Sequence, residues 1–143
     1  MIMSRREIKK HLKKYLVLAE KIAEETRSVR ARGDLDEKTL ADSLRAYILA
    51  KYRLTDEEAE GIVDLEELAQ LSLDKTLAEA PELAATETMS ATCDGADSTT
   101  SKYALLMVAI QRDFEVKFNG FEVAFARTAD DLAQIIWSSY QKR

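Results

Sequence analysis

Apolar residues recur at helical spacing along most of this chain of 143 residues, and few helix-breaking residues interrupt them. The chain has four glycines and one proline, and 46% of its residues are apolar. This composition is typical of a folded, soluble and mostly helical protein rather than of a disordered one. The sequence therefore predicts an all-α fold, a helical bundle that forms one domain or one domain with an appendage.

The first predicted helix runs from about Arg5 to Val29. Gly33 follows it as the predicted C-cap, and Asp34 or Asp36 is the next predicted N-cap. We therefore divide the chain into a basic amphipathic helical extension, residues 1–33, and a helical domain, residues 34–143. The apolar stripe that indicates the first helix consists of Ile8, Leu12, Tyr15, Leu16, Ala19, Ile22 and Ala23.

Charge is distributed unevenly between these two parts. Residues 1–32 hold ten Lys and Arg against four Glu, a net charge of +6, whereas residues 33–143 hold eleven against twenty-two Asp and Glu, a net charge of −11. A basic helix of this kind is typical of binding to an anionic membrane surface or to nucleic acid. We favour packing on the acidic domain or on a second copy, because Val17 and Leu18 widen the apolar face. We therefore expect no nucleic-acid partner, and a homodimer through this helix is an open alternative.

The middle of the chain contains further helical patterns. A second amphipathic helix is predicted from about Glu37 to Tyr52. Thr55 and Glu58 form a capping-box pattern, which predicts the start of a third helix. A further helical segment is predicted from Leu71 to Ala80, and residues 82–97 are interpreted as a loop because they have no clear periodicity.

The apolar run from Tyr103 to Ile110 is the longest in the chain, and it is far shorter than the roughly 20 residues that a membrane-spanning helix needs. We expect it to lie in a helix that packs against the final helix of the chain. Between residues 114 and 125, alternating apolar residues around Asn119-Gly120 make a small β-hairpin an alternative to a short helix. The residues of the run that we expect in the core are Leu105, Leu106, Val108, Ala109 and Ile110.

The region from Gly95 to Ile136 resembles the prosthetic-group region of acyl carrier proteins. Its upstream motif is Gly95-Ala-Asp-Ser98 ahead of an amphipathic helix. Its downstream motif is Phe114-Glu-Val-Lys-Phe118, followed fifteen residues after Phe114 by Ala129 within Thr128-Ala-Asp-Asp-Leu132. Thr128 is a good N-cap, and two acids in the first turn of the final helix suit the helix dipole.

The resemblance implies a site, a cofactor and partners. In this family the serine of an Asp-Ser-Leu motif carries 4′-phosphopantetheine, so Ser98 is the expected attachment residue and Asp97 its neighbour in recognition. The implied fold is a helical bundle of the acyl-carrier type, here with an additional long N-terminal helix and an enlarged middle segment. The implied function is an acyl or aminoacyl carrier in fatty acid or polyketide biosynthesis. Its partners are a phosphopantetheinyl transferase and acyl-transferring enzymes.

Two departures from the family pattern leave the attachment residue open. Thr99 follows Ser98 where the family usually has Leu, and Ser98 lies two residues further from Phe114 than the modified serine usually does. A count without a gap places Thr100 at the modified position. Ser98 is preferred over Ser101 because an Asp directly precedes it. The alternative interpretation is that this Asp or Ser98 serves only as a helix N-cap.

We do not expect the chain to be an enzyme. Its paired carboxylates, such as Asp130 and Asp131, are adjacent on helices and diverge in direction, which does not suit acid–base catalysis. The single cysteine, Cys93, has no histidine near it in sequence, and no Cys/His cluster has metal-ligand spacing. One cysteine and no evident leader favour the cytoplasm. The second function considered is an unmodified carrier-like helical module that acts through protein–protein contacts.

Overall fold

A computed structural model of the chain describes residues 4–79 and 98–142, so Cys93 and the predicted recognition residue Asp97 lie outside the described residues. Within these ranges the chain is helical, with short connections and an isolated β-bridge between Asp64 and Thr128. The prediction of an all-α helical bundle is confirmed. The helices are α1 (Arg5–Ala31), α2 (Glu37–Lys51), α3 (Leu65–Glu79), α4 (Ser98–Asp113), α5 (Gly120–Ala124) and α6 (Ala129–Gln141).

The first two helices begin and end close to their predicted boundaries. The Ser4 side chain caps α1 by accepting a hydrogen bond from the Glu7 N–H at 3.2 Å. Gly33 turns the chain away from this helix with a φ of +77°, a conformation that glycine adopts at low cost. Asp36 caps α2 by accepting from the Thr39 N–H at 2.7 Å. The two helices then pack along each other.

The packed side of α1 is narrower than the predicted apolar face, because Val17 and Leu18, which were expected to widen it, are 51% and 43% exposed. Leu16, which was expected to face the bundle, is 49% exposed. Ile8, Leu12 and Ile22 are half-buried, so they border the packed side without being enclosed by it. The residues of α1 that are buried are Tyr15, Ala19, Ala23 and Thr26.

The helix predicted after Thr55 does not form there. The capping box is present, because the Thr55 N–H donates to Glu58 Oε1 at 2.9 Å and the Glu58 N–H donates to Thr55 Oγ1 at 3.2 Å. It closes a turn instead, and the chain then reverses at Gly61, whose φ is +78°. The next helix is capped by Asp64, which accepts from two backbone N–H groups at 2.9 and 3.1 Å. The two helical segments predicted here are therefore one helix, α3, which starts later.

The hairpin considered for residues 114–125 is wrong. Asn119 is the N-cap of α5, and its side chain accepts from the Phe121 N–H at 2.9 Å. A two-residue type I′ turn needs positive φ at both central residues. Asn119 has a φ of −78°, and Gly120 is not among the residues with positive φ. The Asn-Gly pair therefore starts a short helix.

The core lies where α2, α4 and α6 converge. Tyr47 and Phe114 are fully buried, and their rings meet edge to face with centroids 4.9 Å apart. Helix α2 packs on both α1 and α6, whereas α4 packs mainly on α3. The prediction that α4 packs against α6 is not confirmed, because the main contacts of α4 are with α3. Tyr140 of α6 instead reaches the residue that follows α4, and its Oη donates to the Phe114 carbonyl at 2.6 Å. The buried aliphatic residues around this contact are Leu40, Leu44, Ile48, Leu106, Ile110, Leu132 and Ile136.

Candidate functional site

The hydroxyl-bearing residues singled out in the sequence lie in the first turn of α4. Ser98 is the first residue of this helix. Thr99 and Ser101 are half-buried, whereas Thr100 is exposed. The candidate attachment residues are therefore all within one turn, at the end of the helix whose backbone N–H groups have no acceptor within the helix.

A cavity of about 300 Å³ adjoins this first turn. One wall is formed by Thr99, Thr100 and Tyr103 of α4. The remaining wall comes from the start of α3 and from the segment between α5 and α6, which includes Ala126 and Arg127. The lining combines hydroxyl and charged groups with small apolar side chains. Such a lining suits a polar, flexible ligand better than a purely apolar one.

The wall opposite α4 is built from two distant parts of the chain. The Leu65 N–H donates to the Arg127 carbonyl at 2.8 Å, and the isolated β-bridge pairs Asp64 with Thr128. Thr128 caps α6 by accepting from the Asp131 N–H at 3.1 Å, and Asp131 Oδ2 accepts from the N–H groups of Arg127 and Thr128 at 2.9 and 3.2 Å. The starts of α3 and α6 are thereby joined. Both charged residues of this junction, Asp64 and Arg127, line the cavity.

Tyr103 connects α4 to α5 at the same place. Its hydroxyl donates to the Val123 carbonyl at 2.7 Å. Burial, with a smaller contribution from the Asp131 carboxylate, raises the pKa of Tyr103, so the phenol stays protonated near neutral pH and keeps this hydrogen bond. A second connection is the hydrogen bond from the Phe118 N–H to Gln111 Oε1 at 2.9 Å.

Leu105 and Val108 on α4 face solvent although we expected them in the core. They are 69% and 60% exposed, while Leu106 and Ile110 of the same helix are buried. Helix α4 therefore has an apolar face toward the core and a second apolar face toward solvent. Two further exposed apolar residues lie at α5, Phe121 and Phe125, which are 73% and 70% exposed and whose rings pack edge to face at 5.2 Å.

The chemical groups at the cavity suit binding more than proton transfer. The single histidine, His11, lies on α1 with Nε2 at 3.9 Å from a Glu79 oxygen, and it does not line the cavity. In the part of the chain that the structure describes, no group of three or more His, Cys, Asp and Glu side chains is arranged to hold a metal ion. Nor does any helix in residues 4–79 and 98–142 combine the length and apolarity needed to cross a membrane. The residues that line the cavity carry the hydroxyl groups of Thr99, Thr100 and Tyr103, the carboxyl groups of Asp64 and Glu66 and the guanidinium group of Arg127.

Sequence analysis did not single out the residues opposite α4. Asp64 and Arg127 are far apart in sequence, and the backbone hydrogen bond between Leu65 and Arg127 has no local sequence signature. The sequence does mark two helix starts in this region. Asp64 followed by acidic residues marks the start of α3, and the capping pattern at Thr128 marks the start of α6. Each signal locates a helix start along the chain, but it does not say which helix starts meet in space.

Comparison of the chain with known proteins finds no match to a family model, to a curated protein or to a solved structure. The resemblance of residues 95–136 to acyl carrier proteins therefore stays a prediction made from motifs. A function has to be argued from the residues and geometry of this chain.

Proposed function

We propose that this chain is a carrier domain that presents an acyl or aminoacyl group, held as a thioester, on a 4′-phosphopantetheine arm attached to Ser98. The observation that carries the proposal is the position of Ser98 at the first residue of α4, directly before Thr99, which lines the cavity. The positive end of the helix dipole at such a position favours the negative charge of a phosphodiester. A carrier serine needs no catalytic partner residue, because a separate transferase attaches the arm.

The residues around the first turn fit such an arm. The Thr100 hydroxyl and the Arg127 guanidinium line the cavity and are suited to the polar groups of the arm, while Tyr103 and Ala126 form a wall beside them. When attached, the arm supplies the thiol that bears the acyl group, and the protein supplies presentation and orientation. Asp97 is proposed as the neighbour of Ser98 that the transferase recognises.

The order of the helices supports the same proposal. The carrier family has a short third helix between the helix that follows the modified serine and the last helix. In this chain α5 has five residues and lies between α4, with 16 residues, and α6, with 13 residues. Helix α2 corresponds in this comparison to the first helix of the family, while α1 and α3 are additional.

The proposed partners and location follow from this role. A phosphopantetheinyl transferase would modify Ser98, and acyl-transferring enzymes of fatty acid or polyketide biosynthesis would load and unload the arm. We propose a cytoplasmic location, because a single cysteine requires no oxidising compartment for an internal disulfide. Nucleic acid is not among the proposed partners.

A second candidate is an unmodified helical module that acts through protein–protein contacts, including dimerisation or docking through α1. The exposed apolar residues favour it specifically. Leu105, Val108, Phe121 and Phe125 are each at least 60% exposed, and exposed apolar clusters mark interaction surfaces. A module of this kind would use this surface without any covalent group.

Covalent modification distinguishes the two candidates. The purified chain is incubated with coenzyme A and a phosphopantetheinyl transferase of broad specificity, and the intact mass is measured. We expect one addition of about 340 Da, the mass of the arm. Ser98→Ala is expected to abolish the addition, whereas the matched variants Thr100→Ala and Ser101→Ala, which remove neighbouring hydroxyls, are expected to keep it.

The other outcomes are equally informative. If the wild-type chain stays unmodified under conditions that modify an ordinary acyl carrier protein, the carrier proposal is wrong and the unmodified module is favoured. If Ser101→Ala is the variant that loses the addition, the carrier proposal stands and the attachment residue moves to Ser101. Circular dichroism of each variant checks that the helical content is unchanged.

A further inference from the structure

The first half of α1 forms a basic surface. None of its six cations lies within ion-pair distance of a carboxylate in the described parts of the chain. All six side chains are exposed. The residues of the basic surface are Arg5, Arg6, Lys9, Lys10, Lys13 and Lys14.

The segment from the turn after α2 to the start of α3 forms an acidic surface. It contains no Lys or Arg, because the nearest basic residues along the chain are Arg53 and Lys75. Glu58 pairs with Lys75 Nζ at 2.8 Å, and Asp64 caps α3. The acidic surface consists of the four acids of the turn, Asp56, Glu57, Glu58 and Glu60, because Asp64 and Glu66 line the cavity beside α4.

The two surfaces adjoin each other at Lys75. Its Nζ lies 2.8 Å from Glu58 Oε1, 2.6 Å from the Arg53 carbonyl and 5.5 Å from the centroid of the Tyr15 ring. Tyr15 directly follows the last cation of the basic surface, and Glu58 belongs to the acidic surface. Opposite charges are therefore placed side by side on one part of the molecule.

Apolar groups lie at the boundary between the two surfaces. Leu16 is 49% exposed, although it is a large aliphatic residue. Lys9, Lys13 and Leu16 are spaced to lie along one side of α1. A cavity of about 220 Å³ opens at this boundary and is lined by Leu12, Tyr15, Leu16, Ala50, Lys51 and Arg53.

We propose that this composite surface binds a second copy of the chain in a two-fold symmetric dimer. The basic surface of each copy contacts the acidic surface of the other, and Leu16 lies at the centre. A two-fold interface requires a self-complementary surface, and it forms each contact between unlike patches twice. Adjacent patches of opposite charge around an apolar centre meet that requirement.

The same arrangement disfavours other occupants. A lipid surface would need the apolar side of α1, but Tyr15, Ala19 and Ala23 are buried in the bundle. A polyanion such as nucleic acid would use the basic surface alone, and the adjacent carboxylates would repel it. A second copy is the occupant that uses both surfaces. This inference does not depend on the modification of Ser98.

Charge reversal on each surface tests the dimer. The basic-reversed variant is Lys9→Glu/Lys13→Glu, and the acid-reversed variant is Glu57→Lys/Glu60→Lys. Sedimentation equilibrium of the full chain in about 50 mM and about 500 mM NaCl is expected to show a wild-type dimer whose dissociation constant rises at least tenfold with salt. Each reversed variant is expected to weaken the homodimer at least tenfold. An equimolar mixture of the two variants is expected to recover a dimer. In the mixed dimer the two reversed surfaces face each other and the two unchanged surfaces face each other, so both contacts pair opposite charges.

The control variant is Lys38→Glu/Lys117→Glu, which changes the net charge as the basic-reversed variant does, but at exposed positions outside both surfaces, and is expected to keep the dimer. A wild-type chain that is monomeric at low salt would overturn the proposal, and so would a mixture that stays monomeric. Salt-sensitive binding of monomeric wild type to anionic vesicles or to DNA, lost in the basic-reversed variant, would overturn it in favour of a polyanion. Ser98→Ala is expected to dimerise as the wild type does, so failure of the carrier proposal leaves this test intact.

Discussion

The two ends of α4 are held in different ways. At its C-terminal end, side chains of three other helices donate hydrogen bonds to Asp113 and Phe114. Arg27 of α1 donates to the Asp113 carbonyl, Tyr47 of α2 donates to Asp113 Oδ2 at 2.5 Å, and Tyr140 of α6 donates to the Phe114 carbonyl at 2.6 Å. Phe114 itself has no exposed surface. This end of the helix is fixed in the core.

The start of α4 is open by comparison. Tyr103 connects it to α5 through the Val123 carbonyl, and a cavity separates its first turn from α3 and the segment before α6. Leu105 and Val108 are exposed one turn further along. Leu105 and Ile110 of α4 are both aliphatic, so residue type does not decide that Leu105 is exposed and Ile110 is buried. What differs is whether other helices cover these residues.

This difference shows how one helix serves stability and presentation together. The C-terminal end provides burial and satisfied polar groups, which fix the position and direction of α4. The first turn is then held in place by the far end of the same helix and does not need to be enclosed. A group attached at Ser98 would be presented from a rigid element. We therefore expect substitutions at the C-terminal end to lower stability more than matched substitutions near the other end do.

The largest expected effect is that of Phe114→Ala. Removing a fully buried phenyl ring that packs edge to face on Tyr47 is expected to lower the free energy of unfolding by about 3–5 kcal/mol. Phe121→Ala, the same change at a ring that is 73% exposed, is expected to change it by less than about 0.5 kcal/mol. Urea denaturation followed by circular dichroism measures both. Equal effects of the two variants would contradict the division between the ends of α4.

The helices and caps that depend on local sequence patterns were predicted correctly. The periodicity of α1, α2 and α6 and the caps at Asp36 and Thr128 each act within a few residues, so they are legible in a single chain. The predictions at Thr55 and Asn119 were wrong because each local pattern is compatible with two different structures. The Thr55 box closed a turn because Gly61 follows it, and Asn119 capped a helix rather than forming a hairpin turn.

Only the α4 side of the candidate site was predicted, because local sequence patterns do not show which distant parts of the chain meet. Ser98 was identified because Gly95-Ala-Asp-Ser98 resembles the carrier motif, and Thr100 because a count from Phe114 without a gap reaches it. The opposite wall depends on a backbone hydrogen bond between Leu65 and Arg127 and on the β-bridge beside it, which are long-range contacts. The exposure of Leu105 was likewise not predictable, since an apolar residue on a helix looks the same in sequence whether or not another helix covers it.

The next effect in size is that of Tyr47→Phe. The hydroxyl donates to a carboxylate, and desolvation by burial, followed by this bond to Asp113, raises the pKa of Tyr47 well above its ordinary value, so the phenol remains a donor. Hydrogen bonds to charged groups contribute about 1.5–3 kcal/mol. The variant is expected to lower the free energy of unfolding by about that amount in the same urea measurement. No loss of stability would mean that the bond does not anchor α4.

Tyr103→Phe is the matched change at the start of α4. The lost hydrogen bond has a neutral acceptor, the Val123 carbonyl, and is only partly buried. We therefore expect a smaller loss of about 0.5–1.5 kcal/mol. Because Tyr103 lines the cavity, the rate of phosphopantetheine addition at Ser98 is measured in the same variant. A loss of stability larger than that of Tyr47→Phe would reverse the assignment of the anchored end.

The smallest expected effect is a pH dependence at Asp113. Burial alone would raise the pKa of its carboxyl, but hydrogen bonds from Arg112 and Tyr47 outweigh burial and lower the pKa below its ordinary value of 3.8. A carboxyl whose pKa is lower in the folded state stabilises the fold above its unfolded pKa, and this contribution is lost as the pH falls through the folded pKa. The partner Arg112 is 65% exposed, so this ion pair is screened by solvent and contributes little.

Asp113→Asn removes this carboxylate and therefore its pH dependence. We expect the variant to have a lower melting temperature than the wild type near neutral pH, and we expect the difference to narrow as the pH is lowered from about 6 to about 3. The double variant Tyr47→Phe/Asp113→Asn is the control. Because the two residues form one hydrogen bond, we expect the double variant to lose less stability than the sum of the losses in the two single variants. A difference that stays constant with pH would show that Asp113 acts only as a neutral acceptor. Strict additivity in the double variant would show that Tyr47 and Asp113 stabilise the C-terminal end of α4 independently of each other.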